Sequence, residues 1–283
     1  MECLEKRNSC VLASSNDDIT VVITCFNYGE FLPAAVSSVQ SQTDGSPRII
    51  IVDDGSTDAE TVRTLDLLAD EVDVVRQTNQ GLSAARNFGI ERSSTPLFIT
   101  LDADDLLAND ALRNLRGALL EDPSAGFSYG LTRFIGDWTG PLRMPDYDPY
   151  RLLYRHTIGS TCLTRRELFD DVGGFDVSYP GFEDWEFWLH SLARGWRGTR
   201  TDVVTLLYRK HGDTMLSGAR RDYGNLYLSI KNKHHELYSR RADFARESDL
   251  GVLGRIAYRF YWGPRPIPAA VEQRAYEVLF KRR

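Results

Sequence analysis

The sequence predicts an α/β fold: a Rossmann-like, mostly parallel central sheet flanked by helices, followed by a helical C-terminal appendage. Three observations point there. Short β-branched runs alternate with helix-period segments from Ile19 to Leu120. The runs are apolar throughout, which marks strands covered on both faces and joined by right-handed βαβ units. Carboxylate- and amide-rich turns follow the runs, and open sheets of this kind bind ligands beyond the carboxyl ends of their strands.

Taken in order, the first eighteen residues are polar and read as a loose segment. Ile19 to Thr24 reads as a buried strand, and Asn27 to Gly29 as a turn. Phe31, Ala35 and Val39 recur at helical spacing, so a helix runs to about Gln42. Arg48 to Asp53 is a second strand, and Ser56 or Thr57 is the expected N-cap of a helix ending at Leu68. Val72 to Arg76, Ser83 to Arg92 (with Ser83 as cap), Pro96 to Leu101 and Asp110 to Leu120 continue the strand–helix alternation. It stops near Phe127, and Gly136 to Pro149, rich in Gly, Pro and Asp, reads as loop. Glu183 to Leu192 is a helix whose Trp185 and Trp188 belong to the core. Val203 to Tyr208 suits a last strand, and Tyr223 to Arg246 an exposed helix. The expected segments are 1–18, 19–218 for the main domain, and 219–283 for the helical extension.

Composition excludes several classes. A net charge of −6, from 34 basic and 40 acidic residues, argues against non-specific nucleic-acid binding. The four cysteines, Cys3, Cys10, Cys25 and Cys162, lack metal or redox spacing and read as free thiols of a reducing compartment. The N-terminus has no apolar signal core, and no run reaches the roughly 18 apolar residues of a membrane span. A cytoplasmic protein is therefore expected.

The chemistry-bearing residues gather at the strand ends. Asp102-Ala-Asp-Asp105 closes an apolar strand, and on an extended chain Asp102 and Asp104 point the same way. Carboxylates so placed repel one another unless a hard cation such as Mg²⁺ or Mn²⁺ lies between them; the plainer alternative is an Asp-rich turn opening the next helix. Asp53-Asp54-Gly-Ser56 offers a carboxylate to a ribose or base N–H, or merely a turn and cap. Arg86, one turn into the third helix, reads either as a phosphate ligand or as a surface arginine.

In order, Val22-Ile-Thr-Cys-Phe-Asn-Tyr28, Val52-Asp-Asp-Gly-Ser-Thr-Asp58, Asn79-Gln-Gly-Leu-Ser-Ala-Ala-Arg-Asn87, Leu101-Asp-Ala-Asp-Asp105, Val172-Gly-Gly-Phe-Asp176, Glu183-Asp-Trp-Glu-Phe-Trp188 and Tyr208-Arg-Lys-His211 resemble the family 2 glycosyltransferases of the GT-A fold. The resemblance covers roughly residues 19 to 215. It implies an inverting, metal-dependent transferase using a nucleotide-diphosphate-sugar, preferably UDP-linked. It places Thr24, Asn27 and Asp54 around the nucleoside, Arg86 near the base or diphosphate, and Asp102 on the ribose. Asp104 would bind Mn²⁺ or Mg²⁺, with Asp105 sharing that task and His211 completing the site. Asp184 matches the catalytic base, with Glu183 second, and Gly173-Gly174 would let the preceding loop close over the donor.

The acceptor implied is a saccharide, lipid-linked or protein hydroxyl, as in surface polysaccharide or glycolipid assembly. Residues 251 to 283 hold seven basic and two acidic residues, a local +5 that leaves −11 for the rest. Phe260 to Pro268 followed by a helix from Ala269 to Lys281 suits peripheral contact with the inner face of an anionic membrane, or a helix packed on the body. Two rivals remain. A nucleotidyltransferase would carry a basic Gly-rich loop after the first strand, where this chain has Cys25-Phe-Asn-Tyr-Gly29. A non-catalytic nucleotide-sugar-binding module would have no need of Asp102, Asp104 and Asp184 together.

Overall fold

The structure, a computed structural model, describes residues 16–142, 144–211 and 222–264. Strands β1 (Ile19–Cys25), β2 (Arg48–Asp53), β3 (Asp73–Arg76) and β4 (Leu97–Asp102) alternate with helices α1 (Leu32–Gln40), α2 (Ala59–Leu68) and α3 (Leu82–Glu91). After the two-residue β5 (Leu106–Leu107) come α4 (Ala111–Glu121), β6 (Ala125–Gly136), β7 (Gly140–Leu142), α5 (Pro149–Tyr154), β8 (Leu163–Arg165), α6 (Arg166–Val172), α7 (Glu183–Ala193) and β9 (Arg197–Lys210). Helices α8 (Tyr223–Lys233), α9 (His235–Ser239), α10 (Arg241–Glu247) and α11 (Val252–Ala257) follow, the last continuing into a π-helical turn, Tyr258–Trp262. No helix among the described residues is long and apolar enough to cross a membrane.

One sheet runs β3-β2-β1-β4-β8-β6-β9-β5, with β7 added on β6. The four leading strands are parallel; β8 enters antiparallel to both β4 and β6, and β6 and β9 again run parallel. The uninterrupted apolar strands have a direct cause. Val21, Ile23, Ile49 and Ile51 pack on one face beneath α1, α2 and α4, while Val22, Ile50 and Val52 face α3 and the aromatic cluster of α5 to α7. Both faces are sealed, and each such side chain contributes roughly 1.5–3 kcal/mol through burial.

Several local expectations change. The α2 cap is Asp58, which accepts from Thr61 N, rather than Ser56 or Thr57. Gly81 precedes α3, so Ser83 lies inside the helix. Regular alternation does stop near Phe127, but strands continue: β6 runs for 12 residues to Gly136, paired with the sequence-distant β8 and β9, and β7 lies within the expected loop as its antiparallel hairpin partner. Strand β9 spans 14 residues, longer than 203–208. The expected exposed helix at 223–246 is three helices whose Tyr223, Leu226, Tyr227, Ile230, Leu237, Tyr238 and Phe244 join the main core. Residues 16–18 are not loose, since Asp18 pairs with Arg116 on α4 and Asp17 accepts from Ser46 N. Gly173 and Gly174 adopt positive φ as the end of α6, and the turn is pinned because Asn87 bonds both backbone groups of Phe175. Gly173 is the left-handed C-cap of α6. The helix expected at 269–281 lies outside the described residues, as do Cys3 and Cys10; Cys25 and Cys162 are buried free thiols.

Helix α3 approaches the sheet closely through Gly89. A Cβ there would lie 2.4 Å from Val22 Cγ1 and 2.7 Å from Val52 Cγ2. Gly89→Ala is expected to lose about 1–3 kcal/mol of stability by overpacking, read by urea denaturation.

Candidate active site

The carboxyl ends of β1, β2 and β4 and the N-terminus of α7 meet at one edge of the sheet. Asn27, at φ +58°, holds two turns together: its N–H donates to Ser56 Oγ, and its Oδ1 accepts from the N–H groups of Thr57 and Asp58 at 2.8 and 2.9 Å. Asp54 is buried and accepts from Gln77 Nε2, Gln80 N and Gly81 N at 2.7–2.9 Å, thereby fixing the loop between β3 and α3. Thr24 Oγ1 donates weakly to Asp102 Oδ1 at 3.4 Å.

Arg86 is neither a surface arginine nor an open phosphate ligand. It is 2% exposed, and its guanidinium donates to Asp102 Oδ1 at 3.0 Å and to Glu183 Oε1 at 2.6 Å. Burial opposes its charge, but Asp102, Glu183 and Asp184 outweigh that and keep its pKa above the ordinary value. Glu183 is therefore the buried counter-ion of Arg86. Its burial raises its pKa, and the Arg86 charge opposes the rise.

Asp184 differs from its neighbour. Its Oδ1 accepts from Trp185 N, and its Oδ2 lies 2.9 Å from His156 Nε2. Burial pushes Asp184 up, yet His156, then Arg86, hold it below the usual carboxylate value. His156 is raised in turn: burial lowers it, but Asp184 and Glu183 prevail. His156 belongs to none of the sequence motifs, and only the packing of α5 on α7 brings it to Asp184. That packing is set by Trp185 Nε1 donating to Leu152 O and Trp188 Nε1 to Gly159 O. Trp185 and Trp188 are core residues, as expected.

The expectation that Asp102 and Asp104 point the same way along an extended chain is corrected. The strand stops at Asp102 and a turn follows, closed by Asp105 N donating to Asp102 O. Asp102 faces Arg86, whereas Asp104 Oδ2 lies 2.8 Å from His211 Nε2. Asp105 is turned inward, one oxygen accepting from Arg209 N at 2.7 Å. The turn is still crowded. Burial and the Asp102 charge raise Asp104; burial and the Asp102 and Asp104 charges raise Asp105 well above the usual range. Among the described residues no three His, Cys, Asp or Glu side chains gather as a metal cluster, and Asp104 and His211 form a pair.

A cavity of about 750 Å³ opens from this edge. Arg86, Asp102, Glu183, Asp184 and His156 line one part of it; Tyr129, Phe134, Met144, Arg155, Tyr208 and Tyr258 line the rest.

A parallel sheet with a carboxylate turn at its edge, and a second carboxylate across a cavity, defines a sugar-transferring enzyme of the GT-A fold. The family model described as glycosyl transferase family 2 matches residues 20–175, over half of the chain, and the protein belongs to that family. It is 29% identical over 208 residues to a PGL/p-HBAD biosynthesis glycosyltransferase of Mycobacterium bovis, covering 68% of this chain and 77% of the relative. It is 26% identical over 226 residues to the Escherichia coli UDP-Glc:alpha-D-GlcNAc-diphosphoundecaprenol beta-1,3-glucosyltransferase WfaP, covering 77% and 88%. The crystal structure of S. aureus TarS 1–349 in complex with UDP-GlcNAc shares the fold, with a TM-score of 0.62 at 17% identity over 85% of this chain and 70% of that one.

Removing Arg86 leaves Glu183 buried without its cation. Arg86→Met is expected to lower the unfolding free energy by about 3–5 kcal/mol, measured by denaturant titration near neutral pH.

Proposed function

We propose that this glycosyltransferase moves a sugar from a UDP-linked donor to a hydroxyl acceptor, with inversion, and that the acceptor belongs to surface polysaccharide or glycolipid assembly. The observation that carries the mechanism is Asp184, an ionised carboxylate held by His156 at the N-terminus of α7 and lining the same cavity as Asp102. The UDP-Glc named for the E. coli relative and the UDP-GlcNAc and UDP named for TarS support the choice of donor.

In this reading Thr24, Asn27, Asp54 and Asp102 shape the nucleoside end, Asp54 by fixing loop 77–81 as well as by its own polarity. Asp104 and His211 would hold a divalent cation, Mn²⁺ or Mg²⁺. The crowded carboxylates favour such an ion, and Asp105 supports the turn from behind. Bound there, the cation supplies charge neutralisation for the leaving diphosphate. Asp184 accepts the proton of the acceptor hydroxyl as its oxygen forms the bond to the anomeric carbon and the bond to the diphosphate breaks. A base on the face opposite the leaving group gives inversion. Peripheral contact with an anionic membrane through the segment after Gly251 would bring the cavity to a lipid-linked acceptor.

Calorimetric titration with UDP, GDP and dTDP, with Mn²⁺ and then EDTA, tests the donor site. UDP is expected to bind only with metal, and failure of all three would overturn the reading. Asp184→Asn is expected to lower kcat by about 10²–10⁴-fold while sparing UDP binding.

The dyad makes a pH prediction. While His156 is protonated, its hydrogen bond weakens Asp184 as a base, so kcat/KM should rise as pH passes through a His156 pKa above its ordinary 6.5. Stability has the opposite sign: the raised His156 contributes most below 6.5, and that contribution is lost as pH climbs through its folded value. His156→Gln should flatten the alkaline rise in a pH–rate profile, and its stability deficit should shrink above that pH.

A further inference from the structure

A second cavity, about 480 Å³, lies in the C-terminal helical layer, away from the sheet edge. Lys231, Arg241 and Arg259 line it together with Tyr154, Tyr227, Tyr238 and Phe260, and its lining includes no carboxylate. The three cations come from α8, α10 and the π-helical turn after α11. None of them has a carboxylate partner among the described residues, although Arg48, Arg76, Arg113, Arg151, Arg194, Arg197 and Arg200 all do. In a chain of net charge −6, three convergent cations without carboxylate partners among the described residues mark an anion site. Their own contacts are with aromatic rings or a carbonyl: Lys231 lies 5.8 Å from the Tyr238 ring centre, Arg259 5.1 Å from that of Phe260, and Arg241 donates to Tyr238 O.

The rim says which anion. Leu228, Val252, Leu253, Ile256 and Phe260 are five of the eleven exposed large hydrophobic residues among those described, and Leu253 is 83% exposed. Leu228 and Phe260 line the cavity itself. Val252, Leu253, Ile256 and Phe260 recur at helical spacing, and Arg255 and Arg259 are the only charged residues from Gly251 to Pro264. An apolar stripe beside an unpaired basic cleft matches the boundary between acyl chains and anionic headgroups. Tyr258, on the same turn as Arg259 and Phe260, lines the first cavity, and Arg155 and His156 line it directly after Tyr154. The two cavities therefore share a wall.

We propose that this cleft binds the phosphate of an anionic membrane lipid, with Lys231, Arg241 and Arg259 around the headgroup and Leu253, Ile256 and Phe260 in the acyl boundary. It deepens the membrane contact proposed above by giving it a headgroup site and an orientation: the acceptor side of the active site opens next to the bilayer surface.

The test is co-sedimentation of the full chain with vesicles of phosphatidylcholine, alone or mixed with phosphatidylglycerol, without any sugar donor. Binding is expected only with phosphatidylglycerol and should weaken in salt. The triple variant Lys231→Ala, Arg241→Ala, Arg259→Ala should lose about a hundredfold in vesicle affinity. Phe260→Ser with Leu253→Ser should lose vesicles yet keep glycerol phosphate, titrated separately. Unchanged thermal unfolding and UDP binding serve as folding controls. The proposal is overturned if the triple variant binds vesicles as well as the parent, or if phosphatidylglycerol gives no gain over phosphatidylcholine. It is equally overturned if inorganic or glycerol phosphate binds as tightly as vesicles, which would make the ligand soluble. A dimer in light scattering that Leu253→Ser dissolves would assign the face to a second copy and overturn it too. Because the assay contains no donor, its failure leaves the transferase reading intact, and failure of UDP binding leaves this one intact.

Discussion

A guanidinium with almost no contact with water must be surrounded by acceptors, or its desolvation would unfold the site. At Arg86 the acceptors come from opposite halves of the chain: Asp102 ends the fourth strand, and Glu183 begins the helix 97 residues further on than Arg86. The ion triad is thus the clasp between the nucleotide-side sheet and the aromatic second half. Asp184 inherits its position from that clasp, because it follows Glu183 on the first turn of α7. Three acidic residues on that turn would repel one another in isolation. Here Arg86 and His156 separate their roles, while the helix N-terminus favours the charge as a whole.

The carboxylate turn is held by a second long-range contact. Arg209 N donates to Asp105 Oδ1 and Arg209 Nε to Asp104 O, so the end of β9 fastens the turn from the far side. Two residues later His211 packs against the rings of Tyr28 and Phe31, with centroid distances of 5.4 and 5.0 Å, and reaches Asp104. The long β6–β9 pairing is what carries these residues back to the edge of the parallel strands.

These two contacts explain what was legible in the residues and what was not. The parallel half was read almost element by element, because its strands are buried on both faces and local pattern equals local structure. Thr24, Asn27, Asp54, Asp102 and Asp104 do lie at or just after strand ends. Beyond Phe127, the pairing of β6 with β8 and β9 joins residues tens of positions apart, so β6 and the full length of β9 had no local signature. The same reason hid His156 and the true environment of Arg86. An arginine one turn into a helix looks solvent-bound until the helix opposite is known. Likewise the polar appearance of 223–246 concealed a buried tyrosine face, since its apolar positions are aromatic rings bearing hydroxyls.

Rigidity is distributed unevenly around the cavity. The sheet-edge end is built from backbone-anchored turns: Asn27 to the α2 start, Asp54 to loop 77–81, Asp105 to β9. Such turns leave little conformational freedom. The other wall is assembled from late segments, with Tyr129 and Phe134 on β6, Met144 after β7, Arg155 after α5, and Tyr258 on the C-terminal turn. They come from four separate stretches of the chain, and none is fastened by the Arg86 triad. Exchange of any one of them leaves the sheet edge standing. A fold arranged in this way can keep its sheet edge while the opposite wall varies, because that wall is drawn from the elements whose pairing is least local in the sequence.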